Sequence, residues 1–409
     1  MSQRGYDFNM KNKFKYIDFK ILIPYLVMNF IGIIMIFSAS SYKLVQSGKS
    51  SMAFAVKQSL FLVISLILIT IIYRTKLSIY QTDIFQKIMI AISFAMLGVT
   101  MIMGFAAGGA QRWINLGFIS LQPSEFVMIT TIIYTSYILA KRQDSIQEDF
   151  KSSIKASLIV IGSLILFVFI QPNVGGATIL TLIFLVLVAS SGIAYLYLVY
   201  GFTFTAVFAF IMTQLVMFKD GMLLPGKYHY IYKRFSVMKN PFEDQLTNGF
   251  QLINSYYAIY NGGWFGLGLG QSIQKKGFLP VAETDFIFSI VMEELGLIKS
   301  LFILALLFFL ILRIFAVGIQ ATSAFNSLVC IGVGSAILIQ VFVNLGGILG
   351  VIPMTGVPFP FMSYGGSNLL TLSILIGLVL NISANEKKWQ EETLSLTAPH
   401  NTTSKQLLL

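Results

Sequence analysis

Ile21-Leu-Ile-Pro-Tyr-Leu-Val-Met-Asn-Phe-Ile-Gly-Ile-Ile-Met-Ile-Phe-Ser-Ala-Ser40 holds no charged side chain, and its length matches the hydrocarbon core of a bilayer. The basic stretch Lys11 to Lys20 precedes it without a clear small-residue cleavage site, so the run reads as a signal anchor. Outward from it the pattern recurs along the chain. Apolar runs place spans near 21–40, 53–73, 88–106, 125–140, 156–171, 174–190, 193–218, 285–312, 327–349 and 367–384. Of 409 residues 56% are hydrophobic and 11% charged, against about 25% charged in a soluble chain, so most side chains must face lipid or other helices. The expected fold is all-α: one polytopic membrane domain, a bundle of about ten transmembrane helices with one large extracellular loop.

The net charge of +11 would raise nucleic-acid binding in a soluble protein. Here it orients the chain instead. Of 28 basic residues, 16 fall in the tails and loops on one side, against four (Lys43, Lys49, Lys57 and Arg112) in the short opposite loops. Both termini are therefore expected in the cytoplasm, with tails at 1–20 and 386–409 around a transmembrane domain at 21–385. The long loop 219–284 carries Lys219, Lys227, Lys233, Arg234, Lys239, Lys275 and Lys276, but long loops are exempt from the charge rule. Its stretch Asn261-Gly-Gly-Trp-Phe-Gly-Leu-Gly-Leu-Gly270 cannot leave its amides bare in hydrocarbon, so it must pack on protein or line a wet cavity. Beyond Lys388 the chain turns polar and reads as a disordered tail. The single cysteine, Cys330, excludes an intrachain disulfide. Nucleotide-loop, zinc-protease, CxxC and dinucleotide motifs are missing, and His229 and His400 are the only histidines, so any catalysis must rest on carboxylates.

A charge at the bilayer centre costs about 2.5 kcal/mol or more, so each one in or beside a span calls for a reason. Asp285, in Glu283-Thr-Asp-Phe-Ile-Phe288, falls where the basic loop enters the eighth span. A partly desolvated carboxylate there suits a general base acting on a hydroxyl. The plainer reading is a first-turn acid that stabilises the helix dipole. Glu293 and Glu294 lie two turns deeper and read as structural, one paired inside the bundle and the other near Lys299. Glu125, after Gln122-Pro-Ser, is either a cap on a helix that Pro123 opens or an acid placed in a cavity. Arg112 is either an interface anchor beside Trp113 or a fork that clamps a diphosphate. Two proline- and glycine-rich elements interrupt the apolar pattern. Gln171-Pro-Asn-Val-Gly-Gly176 reads as a plain extracellular turn. The other runs from Asn344 through Pro353, Gly356, Pro358 and Pro360 to Ser367, too rich in proline for a continuous helix and expected to border a cavity.

Asn344-Leu-Gly-Gly-Ile-Leu-Gly-Val-Ile-Pro-Met-Thr-Gly356, with Pro360-Phe-Met-Ser-Tyr-Gly-Gly-Ser367, resembles the signature of the SEDS family. These are the shape, elongation, division and sporulation proteins, including FtsW, RodA and SpoVE. Gln111-Arg-Trp113, Gln122-Pro-Ser-Glu125, Asn240-Pro-Phe242, Asn261-Gly-Gly-Trp264 and Lys275 through Thr284-Asp-Phe286 match as well, so the likeness covers about residues 20–385. Gly266-Leu-Gly-Leu-Gly-Gln-Ser272 and Thr284-Asp-Phe-Ile-Phe-Ser289 look more like the division type, FtsW, than RodA.

The resemblance implies a peptidoglycan glycosyltransferase that polymerises lipid II into β-1,4 glycan strands during cell division. It implies that Asp285 is the general base, taking the proton of the acceptor GlcNAc 4-hydroxyl as undecaprenyl diphosphate leaves. The candidate substrate-binding residues are Arg112, Glu125, Lys275, Lys276 and Ser363, with Arg112 and Lys275 set to hold diphosphate or developing negative charge. A divalent cation, magnesium or manganese, is the one cofactor the chemistry admits, and no residue cluster argues for it. The implied partners are a class B penicillin-binding protein (a single-span transpeptidase), other division proteins and membrane lipid at the septum, and no nucleic acid. Three positions depart from the family pattern: Asn173 in place of an aspartate, Met128 in place of a frequent lysine, and Glu283 in place of a histidine. Rival readings are an elongation-type polymerase, a transporter that flips lipid II by way of Glu293, Glu294 and Lys299, and a non-catalytic division scaffold.

Overall fold

Helix ends follow from local signals. Asp18, Asp149 and Asn173 accept the backbone N–H of Lys20, Ser152 and Gly176 at 3.2, 3.1 and 3.1 Å, filling the N-cap role of short polar side chains. Pro123 opens a helix where its missing N–H is no loss. A computed structural model describes residues 10–397 apart from 104, 108, 109, 116, 118, 119, 147, 223 and 248. Its helices are α1 (Phe19–Gln46), α2 (Ala53–Arg74), α3 (Asp83–Met103), α4 (Pro123–Lys141), α5 (Phe150–Ile170) and α6 (Val174–Ala189). They continue with α7 (Tyr195–Met217), α8 (His229–Lys239), α9 (Phe250–Gly262), α10 (Ile287–Gln320), α11 (Ala324–Ile348) and α12 (Gly366–Thr397).

Among the described residues eight helices are long and apolar enough to cross a membrane: α1, α2, α3, α5, α7, α10, α11 and α12. The shorter apolar α6 and the more polar α4 occupy two further expected spans. The chain thus adopts the all-α polytopic membrane fold expected of it. Between α3 and α4 lies a small antiparallel sheet of β1 (Phe105–Ala107), β2 (Ala110–Asn115) and β3 (Ser120–Leu121), with Phe105 opposite Trp113 and Ile114 opposite Leu121.

The helices divide into pillars and rim. In α11 and α12, 72% and 89% of the spanning window is buried, against 28% in α2 and none in α7. The apolar side chains of α7, such as Leu196, Phe202, Phe208 and Phe210, are exposed, which in water would be untenable and in lipid is required.

Both described ends of the chain meet at one end of the bundle. Lys13 donates to Asn381 at 2.6 Å, Lys15 pairs with Glu391 at 2.9 Å, and Asp18 meets Arg313 at 2.6 Å and Lys387 at 3.3 Å. These contacts overturn part of the expected disordered tail, because α12 runs on to Thr397 rather than stopping near 384. Glu386 accepts from Thr322 and Asn326, and Lys388 pairs with Glu392 one turn on, so the polar extension has partners. Residues 398–409 lie outside the described residues.

The glycine-rich stretch packs on protein. Gly296 interrupts α10 with φ +79, and the loop fills the gap in hydrogen bonding. Leu267 and Gly268 donate to the carbonyls of Glu293 and Glu294, each at 2.9 Å, while Leu297 and Ile298 donate to Gly263 and Trp264 at 2.9 and 3.2 Å. A Cβ on Gly296 would lie 2.3 Å from the Gly266 nitrogen, so the approach needs glycine.

Candidate functional site

The segment entering α10 is pinned at three consecutive carbonyls. Tyr364 N–H donates to Glu283 O at 2.8 Å, Ser363 Oγ to Thr284 O at 2.7 Å, and Asn344 Nδ2 to Asp285 O at 2.8 Å. Asn344 donates from the end of α11, whereas Ser363 and Tyr364 lie in the proline-rich stretch after it, where the backbone N–H of Tyr364 has no helical partner.

Asp285 lies two residues before α10, outside the spanning helix, and is half-buried. A Cβ on Gly356 would sit 3.4 Å from Asp285 Oδ2 and 3.9 Å from Arg234 Nη2, so the carboxylate and the guanidinium border one small space. Arg234 stands one helical turn after Tyr230 on α8, and its guanidinium lies 5.2 Å from the centre of that ring. Arg112, from β2, lies 5.8 Å from the same ring. Tyr230 OH donates to Pro172 O at 2.8 Å, and Arg112 Nη2 donates to the same carbonyl. Arg112 Nε is buried without a partner among the described residues. A cavity of about 340 Å³ opens beside Arg234, lined also by Tyr230, Lys233, Phe250 and Gln251.

Burial pushes the Asp285 carboxyl up to about 6. Arg234, a hydrogen bond from Thr284 and, more weakly, Arg112 pull it back, while Glu283 pushes it further up. Burial also lowers Arg234 and Arg112, although a guanidinium stays charged at neutral pH. The result is a tunable base opposite two fixed cations.

The other expected residues fall elsewhere. Lys275 does not join Asp285: its ammonium is buried 2.8 Å from Glu294 and 2.9 Å from Ser38. Glu293 and Glu294 take backbone N–H groups from Gly270, Ser272, Ile273 and Gln274, so this cluster ties the glycine-rich loop to α10. Their structural reading stands, with Lys275 rather than the exposed Lys299 as the cation. Lys276 is exposed on a separate groove of about 520 Å³ beside Ile34, Phe37 and Tyr42 of α1. The hydroxyl of Ser363 donates to Thr284 O and accepts from Phe359 N–H at 2.8 Å, so it holds the segment rather than reaching for a substrate. Glu125 sits half-buried in the first turn of α4, bonded to Ser367 and Asn368, with Oε2 unpartnered among the described residues.

Arg234 escaped the sequence reading because it is one of seven basic residues in the loop 219–284. The spacing Tyr230-x-x-x-Arg234, which stacks ring and guanidinium on one helix face, was the available signal. The turn 171–176 is also more than a plain connection, because Pro172 O receives both Arg112 and Tyr230. At the departures from the family pattern, Asn173 donates to Ser124 Oγ at 3.0 Å, Met128 Sδ accepts from Gln340 at 3.4 Å, and Glu283 pairs with Lys43 at 2.7 Å.

Fold and site together define a polytopic helical membrane protein with a carboxylate–guanidinium site at the end of the bundle away from the termini. The family model described as a cell cycle protein, spanning FtsW, RodA and SpoVE, matches residues 19–388, and the chain belongs to that family. It is 40% identical to the probable peptidoglycan glycosyltransferase FtsW of Lactococcus lactis subsp. lactis (strain IL1403), over 94% of this chain and 96% of that protein. It is 35% identical to the FtsW of Bacillus subtilis (strain 168), so described too, over 97% of this chain and 98% of that one. Among solved structures, a chain of a peptidoglycan synthase complex coordinating polymerization and crosslinking matches with a TM-score of 0.70 at 22% identity, covering 90% of this chain and 98% of that chain. The rod shape determining protein RodA of Thermus thermophilus matches with a TM-score of 0.64 at 21% identity, over 90% and 97% of the two chains.

Proposed function

We propose that the chain is a peptidoglycan glycosyltransferase that polymerises lipid II into β-1,4 glycan strands during cell division, with Asp285 as its general base. The relatives described as probable peptidoglycan glycosyltransferases support the reaction class. One observation carries the mechanism: a half-buried carboxylate poised near 6 faces two guanidiniums gathered on Tyr230.

Asp285 removes the proton of the acceptor 4-hydroxyl as its oxygen bonds to the donor anomeric carbon. The bond from that carbon to the undecaprenyl diphosphate breaks on the opposite face, inverting the centre. Arg112 and Arg234 meet the negative charge that develops on the leaving diphosphate, and a planar fork suits phosphate oxygens. The donor set does not fit a resident divalent cation, since Glu283 is committed to Lys43 and the groups opposite Asp285 are cationic.

The common end shared by the first and last described segments and the bias of basic residues support cytoplasmic termini, with Asp285 on the outer face. The similarity to a chain of a synthase complex that coordinates polymerization and crosslinking supports a crosslinking partner, and the resemblance to the division type makes that partner a single-span class B penicillin-binding protein at the septum. The transporter reading is weakened because Glu293, Glu294 and Lys275 satisfy one another in a buried structural cluster. Purified protein with its transpeptidase should make glycan strands from lipid II, and Asp285→Ala should stop this while the complex still forms. Full polymerisation by that variant would return the scaffold and transporter readings.

A further inference from the structure

Glu283 is a second carboxylate two residues from Asp285, 4% exposed and so nearly out of water. Its Oε1 accepts from Lys43 Nζ at 2.7 Å. Lys43 stands in the last turn of α1, with about half of its side chain open to solvent. The three carbonyls of residues 283–285 are held from Asn344 and the 363–364 turn, whereas Lys43 supplies a side-chain tie from α1. The segment needs holding, because Val281 at its start has φ +51, a conformation that a β-branched residue adopts only under restraint.

We propose that Lys43 is a positioning residue for the glycosyl transfer: by binding Glu283 it fixes the segment 283–285 and screens Asp285 from a second negative charge. The inference rests on Asp285 being the general base.

The groups facing Asp285 make the consequence calculable in sign. Arg234 from α8 and Arg112 from β2 favour its ionised form, and Glu283 on its own segment opposes it. Asn344 of α11 and the Gly356 backbone are neutral. Lys43 sits on the one opposing group. Without it, Glu283 keeps an uncompensated charge beside Asp285, which opposes ionisation of the base, and the segment loses its side-chain tie to α1.

The test is the pH dependence of kcat for glycan synthesis by the partner-bound enzyme from lipid II, around and above pH 6. Lys43→Met should move the acid limb upward by about half a pH unit, the scale of one charge uncovered at close range in partly wet surroundings. Lys43→Arg should keep the wild-type limb. Glu283→Gln should move it downward, and Lys43→Met in that background should add little. An unmoved limb in Lys43→Met, or an equal shift in both backgrounds, would overturn the proposal. Should Lys43→Met fail to fold, Glu283→Gln decides alone, and a stationary limb refutes it. Asp285→Ala is the control: polymerisation surviving there sinks the general-base reading itself, whereas an inactive control with unmoved limbs sinks only the role of Lys43.

Discussion

Asn344 donates its side-chain amide to the backbone oxygen of Asp285 at 2.8 Å. It donates equally to Val357 O, so one residue of α11 joins the segment of the base to the loop that carries Gly356. Asn344→Ala leaves both carbonyls without this donor, a loss of about 1–3 kcal/mol for buried groups. Thermal unfolding of the detergent-solubilised protein should show a lower midpoint, and glycan synthesis should fall further than stability alone explains. An unchanged midpoint would mean that water replaces the amide freely.

Because burial holds the Asp285 carboxyl near 6 while Arg234 pulls it down, polymerase activity should decline as pH falls through about 6. Arg234→Gln removes the stronger pull, so the carboxyl rises and the acid limb moves to higher pH. The sign for stability is opposite in sense. A carboxyl that holds its proton more tightly in the folded state makes folding less favourable as pH rises from about 4 to about 6, a deficit that persists above that range. Asp285→Asn should therefore abolish synthesis and raise the unfolding midpoint at neutral pH. The gain is at most about 3 kcal/mol, and less for a half-buried group.

Lys275 and Glu294 form an ion pair almost wholly out of water, with side-chain exposures of 4% and 0%. Removing one partner of such a pair costs about 3–5 kcal/mol, because the other charge is stranded. Lys275→Met should thus destabilise strongly, and Lys275→Met with Glu294→Gln should recover a large part of the loss. Equal damage in the single and double variants, read by thermal unfolding, would argue against the pair as the source.

Gly356 combines φ +75 with the place between Asp285 and Arg234. A methyl group there is in ordinary contact with both, so Gly356→Ala should cost only about 1 kcal/mol of backbone strain in stability. It should nevertheless reduce kcat by much more, since the methyl takes the space that a reacting hydroxyl needs. Comparable losses in stability and rate would show that the space is not used in the reaction.

The membrane class and helix positions were legible because hydropathy is a local property: twenty apolar residues report a span whatever they later pack against. The break in the 344–367 region was legible for the same reason, since proline acts on its own backbone. The position of Asp285 at a helix entrance was also readable. Arg112 was readable as a candidate, but that it and Arg234 face Asp285 was not, because the three residues lie on segments far apart in sequence. Lys275, expected together with Arg112 to hold diphosphate, is instead tied to Glu294.

By itself, then, the sequence determined that this chain lives in a bilayer, where its helices run, and which acid stands at a helix mouth. Only the tertiary structure decided which cations face that acid, that Ser363 holds backbone, and that Lys43 reaches Glu283. The physical reason is that burying apolar surface depends on what each segment is made of, whereas pairing charges depends on where folding brings the segments.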